Sequence, residues 1–445
     1  MHSKPGSLLD CAPLCLPALR PDSVTASSSL APDSLAFSLR QAAGILAAVF
    51  SGRSLAEGLL QAVPALARPA VQDMVYASLR AYGYGDALLA PLLAKPPQPE
   101  IRALLLLAVQ RLEQRPEAAH TVVDQAVTAA AGLAGGRFKA LVNGVLRNFL
   151  RQREALLAGL AGNPVAEHRH PEWWLNRLRY AYPEAWQQII AAGNQPPPMA
   201  LRVNRRRARR DDCLTELQAA DIACSPWGDD GLLLAKPLGV EWIPGFAAGR
   251  LSVQDPGAQR AAALLDPAPG SRVLDACAAP GGKTAHLLER AELDLLALDL
   301  EPARCRRISA NLERLGLSAT VQAADAGQPA SWWDGRQFDA ILADVPCSAS
   351  GVVRRHPDSK WLRREADVQR FARTQARLLA ALWPLLRPGG KLLYATCSVF
   401  REENGRQIAS FLDRHPEAEK QAEEQLLPCA EHDGFYYALL RKSPD

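Results

Sequence analysis

Long apolar runs are absent from this sequence. No stretch approaches the roughly 18 consecutive apolar residues that a membrane-spanning helix requires. The segment from Met1 to Ser29 contains an apolar patch, but two prolines interrupt the patch and a single lysine precedes it, which makes a poor secretory signal. We therefore expect a cytoplasmic protein without a membrane segment.

Paired cysteine spacings of the kind that bind zinc are also missing. The nine cysteines are odd in number and scattered, so the sequence predicts neither a disulfide framework nor a metal site. A strong charge of one sign is lacking as well, because 51 lysines and arginines against 47 acidic residues leave a net charge of only +4. Nucleic-acid binding must therefore be sought in local clusters of charge.

The chain does have ample length and an ordinary globular composition. Its 445 residues, of which 48% are hydrophobic, predict two or three domains. Residues 1–34 are rich in serine, proline and alanine without periodicity, and we interpret them as a disordered extension. Residues 35–162 are predicted to form an all-helical bundle, because their apolar residues recur at helical spacing. Three such stripes are Leu39, Ala43, Leu46, Val49 and Phe50; Ile101, Leu104, Leu105, Ala108 and Leu112; and Leu141, Val142, Val145, Leu146 and Phe149.

Residues 163–254 differ in composition. Tryptophans and tyrosines between Trp173 and Trp186 precede three prolines and then a run of arginines, and two short β-type segments suggest a small α+β linking domain. Arginines near aromatic residues can bind phosphates and stack on bases. In the plainer alternative, the aromatic residues form a core and the arginines form a solvated face. We favour phosphate contact, and the candidate RNA contacts are Arg202, Arg205, Arg206 and Arg207.

Residues 255–445 alternate strand and helix patterns, which predicts a doubly wound parallel α/β sheet. One apolar strand leads into Asp344-Val-Pro-Cys-Ser348, and a later strand leads into Thr396-Cys397-Ser398. Pro346 and the small residues after it favour a turn, so Cys347 is expected at the carboxyl edge of the sheet, where such sheets bind ligands. Two parallel strands would then present Cys347 and Cys397 together.

A glycine-rich turn and a set of acids suggest what this edge binds. The turn Cys277-Ala-Ala-Pro-Gly-Gly-Lys283 matches neither the dinucleotide fingerprint nor the phosphate-binding loop, so bound phosphate is not favoured. Acids end four successive strands, and they are Asp275, Asp299, Asp325 and Asp344. Each acid alone would more often be a cap or turn residue. Together they predict a ligand, and Asp299 stands near the spacing at which an acid binds ribose hydroxyls.

Three of these motifs together resemble the S-adenosylmethionine-dependent RNA cytosine-5 methyltransferases of the Sun family. They are Asp275–Thr284, Asp344–Ser348 and Ala395–Ser398. The segment Arg354-Arg-His-Pro-Asp-Ser-Lys-Trp361 is similar to the bacterial members that act on 16S ribosomal RNA, and the helical region resembles the antitermination factor NusB. The resemblance implies a NusB-like helical domain, a linking domain and a Rossmann-like catalytic domain.

The resemblance also assigns roles to residues. In this family a thiolate adds to carbon 6 of cytosine before carbon 5 takes the methyl group. Cys397 would be that nucleophile, Cys347 would assist product release, and Asp344 would hold a proton at ring nitrogen 3. Spacing alone leaves the reversed assignment of the two cysteines open. The implied S-adenosylmethionine contacts are Cys277, Ala278, Ala279, Pro280, Gly281, Gly282, Lys283, Asp299, Asp325 and Asp344, and Arg354 and Arg355 join the candidate RNA contacts.

The activity implied by the resemblance is methylation of a cytosine in small-subunit ribosomal RNA, of the type numbered 967 in the standard scheme. We expect a monomer that uses S-adenosylmethionine and no metal. One alternative is an enzyme of the same class that acts on tRNA. Another is a catalytically silent RNA-binding assembly factor, because a NusB-like bundle is a binding module. The intact Cys347, Cys397 and glycine loop argue against the silent factor.

Overall fold

The computed structural model describes residues 30–444. The predicted disordered extension, residues 1–34, falls mostly outside this range. Within it, the Ser34 hydroxyl caps the first helix by accepting a hydrogen bond from the Phe37 backbone N–H at 3.1 Å. No helix between residues 30 and 444 is both long enough and apolar enough to cross a bilayer.

The first region of the chain is helical, as predicted. Its helices are α1 (Leu35–Phe50), α2 (Arg68–Arg80), α3 (Tyr82–Leu89), α4 (Pro99–Gln114), α5 (Ala119–Ala131) and α6 (Lys139–Ala158). α4 is central and packs against α1, α2, α5 and α6, with its apolar stripe fully buried. Leu141 is the exception among the predicted stripes, since its side chain is 39% exposed. Val142, Val145, Leu146 and Phe149 form the core-facing side of α6, and Leu141 lies about 90° around the helix from the centre of that side.

A second region combines four short helices with a small sheet. Its elements are α7 (Pro164–His168), α8 (Glu172–Ala181), α9 (Trp186–Asn194), β1 (Met199–Val203), α10 (Arg210–Ala219), β2 (Cys224–Trp227), β3 (Gly231–Leu234) and β4 (Leu251–Val253). The four strands are antiparallel in the order β2-β3-β1-β4, and residues of α10 complete the core on one face. The aromatic residues divide between two environments. Trp174 is buried against Phe400, whereas Tyr180 is 77% exposed.

The third region is built on a seven-stranded sheet. Its elements are α11 (Pro256–Leu265), β5 (Arg272–Asp275), α12 (Gly282–Arg290), β6 (Asp294–Asp299), α13 (Pro302–Leu315), β7 (Thr320–Ala323), β8 (Phe338–Asp344), α14 (Ser359–Leu362), α15 (Glu365–Leu382), β9 (Leu386–Thr396), α16 (Gly405–Leu412), β10 (Ala418–Leu426) and β11 (Phe435–Lys442). The strand order is β10-β11-β9-β8-β5-β6-β7. α11, α12 and α13 pack on one face, and α15 and α16 pack on the other. The predicted doubly wound α/β fold is confirmed.

The edge of this sheet differs from an all-parallel one. β5 to β9 are parallel, but β11 pairs antiparallel with β9 and β10 pairs antiparallel with β11. The sequence pattern predicts neither of these two strands. β10 consists mostly of charged and polar residues, because it is an exposed edge strand. It therefore lacks the apolar pattern that predicts a buried strand.

The segment from Arg354 to Trp361 joins the third region to the first two. The Asp358 carboxylate accepts hydrogen bonds from the Ser54 hydroxyl at 2.9 Å and from the Leu55 N–H at 3.0 Å. The buried Lys360 ammonium donates to the Arg80 carbonyl at 3.2 Å, the Arg169 carbonyl at 2.9 Å and the Asn194 side chain at 3.0 Å. Because this segment directly follows the Cys347 loop, the same stretch of chain serves the sheet edge and the packing between regions.

Candidate active site

Two cysteines meet at the carboxyl edge of the sheet. β8 and β9 are adjacent and parallel, and Asp344 pairs with Ala395 in their register. Cys347 follows β8 and Cys397 follows β9, so both loops leave the sheet at the same edge. The two sulfur atoms lie 3.3 Å apart. A backbone hydrogen bond from Gly351 N–H to the Cys397 carbonyl, at 2.9 Å, ties the loops together beside the sulfurs.

Hydrogen bonding and burial favour a neutral thiol at Cys347. The hydrogen bond with Cys397 is the main factor that raises the pKa of Cys347 well above its usual range, and burial raises this pKa further. A neutral Cys347 can donate its S–H to the sulfur of Cys397. The geometry lets either sulfur be the donor, so it allows one thiol to stay neutral while the other acts as the nucleophile.

A buried carboxylate lies behind the two cysteines. Glu403 Oε2 accepts hydrogen bonds from the hydroxyls of Ser348 and Ser398, each at 2.5 Å. Glu403 Oε1 accepts from the Ser348 N–H at 2.8 Å and from the Gln375 side-chain amide at 3.2 Å. Burial raises the pKa of Glu403 above its usual range despite these hydrogen bonds. Sequence reasoning missed Glu403, although a serine directly after each cysteine is the signal that could have pointed to a shared acceptor.

Lys283 connects the glycine-rich turn to the catalytic edge. Its ammonium lies 2.6 Å from Asp344 Oδ2. Burial alone would lower the pKa of Lys283, but the negative charge of Asp344 and its hydrogen bond raise this pKa overall, and the Cys397 sulfur contributes in the same direction. A persistent positive charge at Lys283 favours negative charge on the groups that face it.

The strand-end acids come together along the same edge, and Asp275 is the most deeply buried of them. Its Oδ2 accepts a hydrogen bond from the Thr284 hydroxyl at 2.7 Å, while its Oδ1 is buried without a hydrogen-bond partner in the described part of the chain. Burial raises the pKa of Asp275 to about 7. A buried acceptor without a partner is a place where a ligand donor would fit, and this observation supports a polar ligand between the acids and the glycine turn.

The glycine-rich turn is held in place by the neighbouring strand. Asp299 Oδ2 accepts from the Ala279 N–H at 3.2 Å, and Ala278 N–H donates to the Leu298 carbonyl at 2.7 Å. Gly281 has a φ of 94°, and a Cβ there would lie 3.2 Å from the backbone of Ile308, so glycine is required. The turn therefore presents its backbone to the sheet edge.

The remaining predicted cofactor contacts occupy less enclosed positions or have other partners. Burial alone would raise the pKa of Asp325, but hydrogen bonds from Gln328, Gly327 and Arg377 lower it overall. Burial also raises the pKa of Cys277, which keeps that thiol neutral beside the acids. Asp325 can accept from a ligand only where these existing donors leave it accessible, and its side chain is 25% exposed.

Two predicted RNA contacts are corrected by their burial. Arg202 is fully buried and binds both oxygens of Glu289, at 2.7 and 2.8 Å. Arg354 is also buried, and its guanidinium pairs with Asp433 and donates to the Cys429 carbonyl at 2.8 Å. Neither guanidinium is accessible to a phosphate, so both are structural.

The other four candidate arginines are at least partly exposed. Arg205 is 44% exposed and pairs with Asp230, while Arg206 is 36% exposed with Glu292 at 3.8 Å. Arg207 is exposed and donates to the Ala248 carbonyl at 2.7 Å. Arg355 is 27% exposed and bonded to Asp255 and Asp433. Arg205, Arg206 and Arg207, which follow β1 closely in the chain, are therefore the accessible arginine cluster of the second region.

Comparison with known protein families gives three matches that follow one another along the chain. Residues 40–151 match the NusB family. Residues 170–241 match the ferredoxin-like domain of RsmF/B-like methyltransferases. Residues 262–441, which include both cysteines and the strand-end acids, match the 16S rRNA methyltransferase RsmB/F family.

Individual relatives and a solved structure extend these matches to nearly the whole chain. The "Ribosomal RNA small subunit methyltransferase B" of Pseudomonas syringae pv. tomato is 46% identical over 90% of this chain and 96% of its own length. The protein of the same name from Serratia proteamaculans is 43% identical, over 84% of this chain and 90% of its own length. The crystal structure of PH0851 shares the fold with a TM-score of 0.76, at 23% identity over 91% of this chain and 99% of its own. At the identity and coverage of the two sequence relatives, the chain belongs to the 16S rRNA methyltransferase RsmB/F family.

Proposed function

We propose that this methyltransferase transfers the methyl group of S-adenosylmethionine to carbon 5 of a cytosine in 16S ribosomal RNA, at a position of the 967 type. The observation that carries this proposal is the pair of cysteine sulfurs 3.3 Å apart beside the Lys283–Asp344 ion pair. The names of the sequence relatives support small-subunit ribosomal RNA as the substrate. The expected product is 5-methylcytosine.

The two cysteines fit a covalent route. Carbon 5 of cytosine is a poor nucleophile until a thiolate adds to carbon 6 and makes the ring enamine-like. Cys397 is the proposed nucleophile, because Cys347 is held as a neutral thiol and Thr396-Cys397-Ser398 resembles the motif of the RNA enzymes. After methyl transfer, water takes the carbon 5 proton, the electrons of that bond re-form the carbon 5–carbon 6 double bond, and the carbon–sulfur bond breaks with its electron pair on the Cys397 sulfur. The neutral Cys347 would assist this elimination by donating its S–H to the departing sulfur 3.3 Å away.

Asp344 is the proposed partner of the cytosine ring. Addition of the thiolate at carbon 6 pushes negative charge towards ring nitrogen 3, and a carboxyl group that holds a proton there offsets that charge. Asp344 stands at the end of β8, and its side chain is 29% exposed while bonded to Lys283. It can therefore face a substrate and keep a fixed orientation.

The residues at the sheet edge fit S-adenosylmethionine. When bound, this cofactor supplies the methyl group. Asp299 would accept from its ribose hydroxyls, Asp325 would lie on the adenine side, and residues 277–283 would surround its methionine part. The unpartnered Asp275 oxygen would accept a further donor. The described residues thus offer carboxylate acceptors to a ligand that carries hydroxyl and amino donors.

The other regions are proposed to bind RNA. We assign residues 35–162 to a NusB-like binding domain, residues 163–254 to a linking domain and residues 255–445 to the catalytic domain of a cytoplasmic monomer. Arg205, Arg206 and Arg207 form an accessible basic cluster on the linking domain, which suits phosphate contact. Such contacts would supply affinity for RNA, while the sheet edge that carries Cys347 and Cys397 would select the base.

Nucleoside analysis of methylated RNA tests the proposal. Purified protein is incubated with isotopically labelled S-adenosylmethionine and either 16S ribosomal RNA or tRNA, and digested nucleosides are examined by mass spectrometry. Labelled 5-methylcytidine is expected from 16S RNA, is lost in Cys397→Ala, and is retained in the matched control Cys429→Ala. Product from tRNA alone would favour the tRNA enzyme. Tight RNA binding without any labelled product would favour the silent assembly factor.

A further inference from the structure

The loops that carry the two cysteines share one buried acceptor. The residue after each cysteine is a serine, and both serine hydroxyls donate to the same oxygen of Glu403 at 2.5 Å. The Ser350 hydroxyl closes the cluster, since it lies 3.0 Å from the Ser348 hydroxyl and 2.9 Å from that of Ser398. The positions of Cys347 and Cys397 are thus coupled through Glu403.

The neighbouring residue extends the same anchor. The Asn404 amide donates to the Ser398 carbonyl at 2.9 Å, and its oxygen accepts from the Thr396 hydroxyl at 2.6 Å. Thr396 and Ser398 flank Cys397 in the chain. Glu403 and Asn404 therefore hold the Cys397 loop on both sides and reach the Cys347 loop through Ser348.

A buried carboxylate in this position is costly. Glu403 is fully buried, and no lysine or arginine within residues 30–444 forms an ion pair with it. Its partners are two hydroxyls, one backbone N–H and one side-chain amide. The desolvation cost of a buried carboxylate without a cationic partner exceeds the stabilisation that neutral hydrogen bonds provide. A neutral residue at this position would therefore give a more stable fold. All four partners donate to the two oxygens of Glu403, so this hydrogen bonding favours the ionised carboxylate while burial opposes it.

The negative charge of Glu403 acts on the neighbouring cysteine Cys347. Glu403 accepts two hydrogen bonds from Ser348, which follows Cys347, and one from Ser398, which follows Cys397. A fixed negative charge disfavours a second anion nearby, and Glu403 adds to the hydrogen bond and the burial that raise the pKa of Cys347. The carboxylate therefore helps to keep Cys347 neutral.

We propose that Glu403 is a positioning residue that holds the two cysteine loops in register and, through its charge, directs nucleophilic attack to Cys397 rather than Cys347. The second half of this inference rests on the proposed covalent function. The first half rests on the hydrogen bonds alone. Glu403 does not touch the substrate in this scheme and acts through Ser348 and Ser398.

Kinetics and thiol reactivity of Glu403→Gln test the proposal. Glu402→Gln is the matched control, because Glu402 precedes Glu403 but binds Arg177 and Arg406 outside the serine cluster. Misplacing reactive groups by about 1 Å costs about 100-fold in rate, so kcat of Glu403→Gln should fall by about that factor while KM for RNA changes only a few fold. Glu402→Gln should retain the kcat of the unsubstituted protein.

The reactivity arm needs no RNA. In a Cys397→Ala background, alkylation of Cys347 by iodoacetamide is followed against pH by mass spectrometry of its peptide. Glu403→Gln should shift the midpoint of this alkylation to lower pH, and the buried Cys305 should stay protected as a measure of an intact fold. Ser398→Ala, which removes one hydroxyl but leaves the charge, should lower kcat without that shift.

The outcomes separate the two proposals. An unchanged kcat and an unchanged alkylation midpoint in Glu403→Gln would overturn the role of Glu403, even if the unsubstituted protein makes 5-methylcytidine. A shifted midpoint in a protein that makes no 5-methylcytidine would support the effect of Glu403 on Cys347 and overturn the proposed function instead. Equal loss of kcat in Glu402→Gln would show a general structural effect and also overturn the positioning role.

Discussion

Replacement of Cys347 by alanine should trap the enzyme on its RNA. If Cys397 attacks carbon 6 and Cys347 assists elimination, the variant can still add to the base and transfer the methyl group, but it releases the product slowly. The 3.3 Å between the sulfurs places Cys347 within reach of the adduct, and Cys347→Ala removes that group without altering Cys397. Protein should therefore stay covalently joined to RNA.

The expected size of this effect follows from general acid–base catalysis. A positioned acid or base contributes about 10²- to 10⁴-fold to a proton-transfer step. For an enzyme that turns over at about 10 per second, a typical value, elimination in the variant would take from about 10 seconds to about 1,000 seconds. Adduct formed in the first turnover would then accumulate to a large fraction of the enzyme before a manual quench.

A denaturing gel reads the adduct directly. Cys347→Ala, mixed with 16S RNA and S-adenosylmethionine, should give a slowly migrating protein–RNA band that protease removes. The Cys347→Ala, Cys397→Ala double variant and Cys429→Ala should give none. A band from Cys397→Ala, and none from Cys347→Ala, would refute the reasoning and assign the attack to Cys347.

Three further outcomes follow from charged side chains. Arg202→Ala should lower the free energy of unfolding by about 3–5 kcal/mol in urea, because it leaves Glu289 buried without its cation, whereas the exposed Arg209→Ala should change it little. Charge reversal across residues 205–207 should weaken RNA binding and reduce its salt slope by about 0.7 to 0.9 per lost phosphate contact; an unchanged slope would leave the cluster a solvated face. Burial raises the pKa of Asp275 from 3.8 to about 7, so the stability that this carboxyl gives the cofactor-free protein is complete below pH 3.8 and is lost as pH rises to about 7. Asp275→Asn should remove this pH dependence in thermal unfolding and be the more stable protein at pH 8.

Local patterns were enough to predict the catalytic edge. An apolar run that ends in Asp344 and continues into Pro346 specifies a buried strand followed by a turn, whatever the rest of the chain does. The same holds for the strand before Cys397. Since parallel strands end at a common edge, the meeting of the two loops followed from sheet geometry. The contact between the sulfurs and the shared Glu403 did not, because they depend on how the loops close on each other.

The burial of individual arginines in the cluster cannot be predicted from the local sequence. Arg202 and Arg205 are the same residue type three positions apart, yet one is buried and the other is 44% exposed. Arg202 lies within β1, and its side chain is on the face opposite to those of Leu201 and Val203. That face packs on α12, which carries Glu289, 87 residues further along the chain. Only the packing of one domain on another reveals that both faces of β1 are covered.

The segment from Arg354 to Trp361 also contains charged residues whose burial depends on contacts between regions. The sequence predicts RNA contacts at Arg354 and Arg355, but Arg354 is buried, and so are Asp358 and Lys360, which pack against the helical and linking regions. Buried charges persist only where their partners are fixed, so these residues require the three regions to be docked together. Since the segment continues directly from the Cys347 loop, and Arg80 also donates to the Arg354 carbonyl at 2.9 Å, docking of the helical region and the shape of the catalytic loop are set by one stretch of chain. The helical region therefore supports the position of Cys347 as well as any RNA contact it makes.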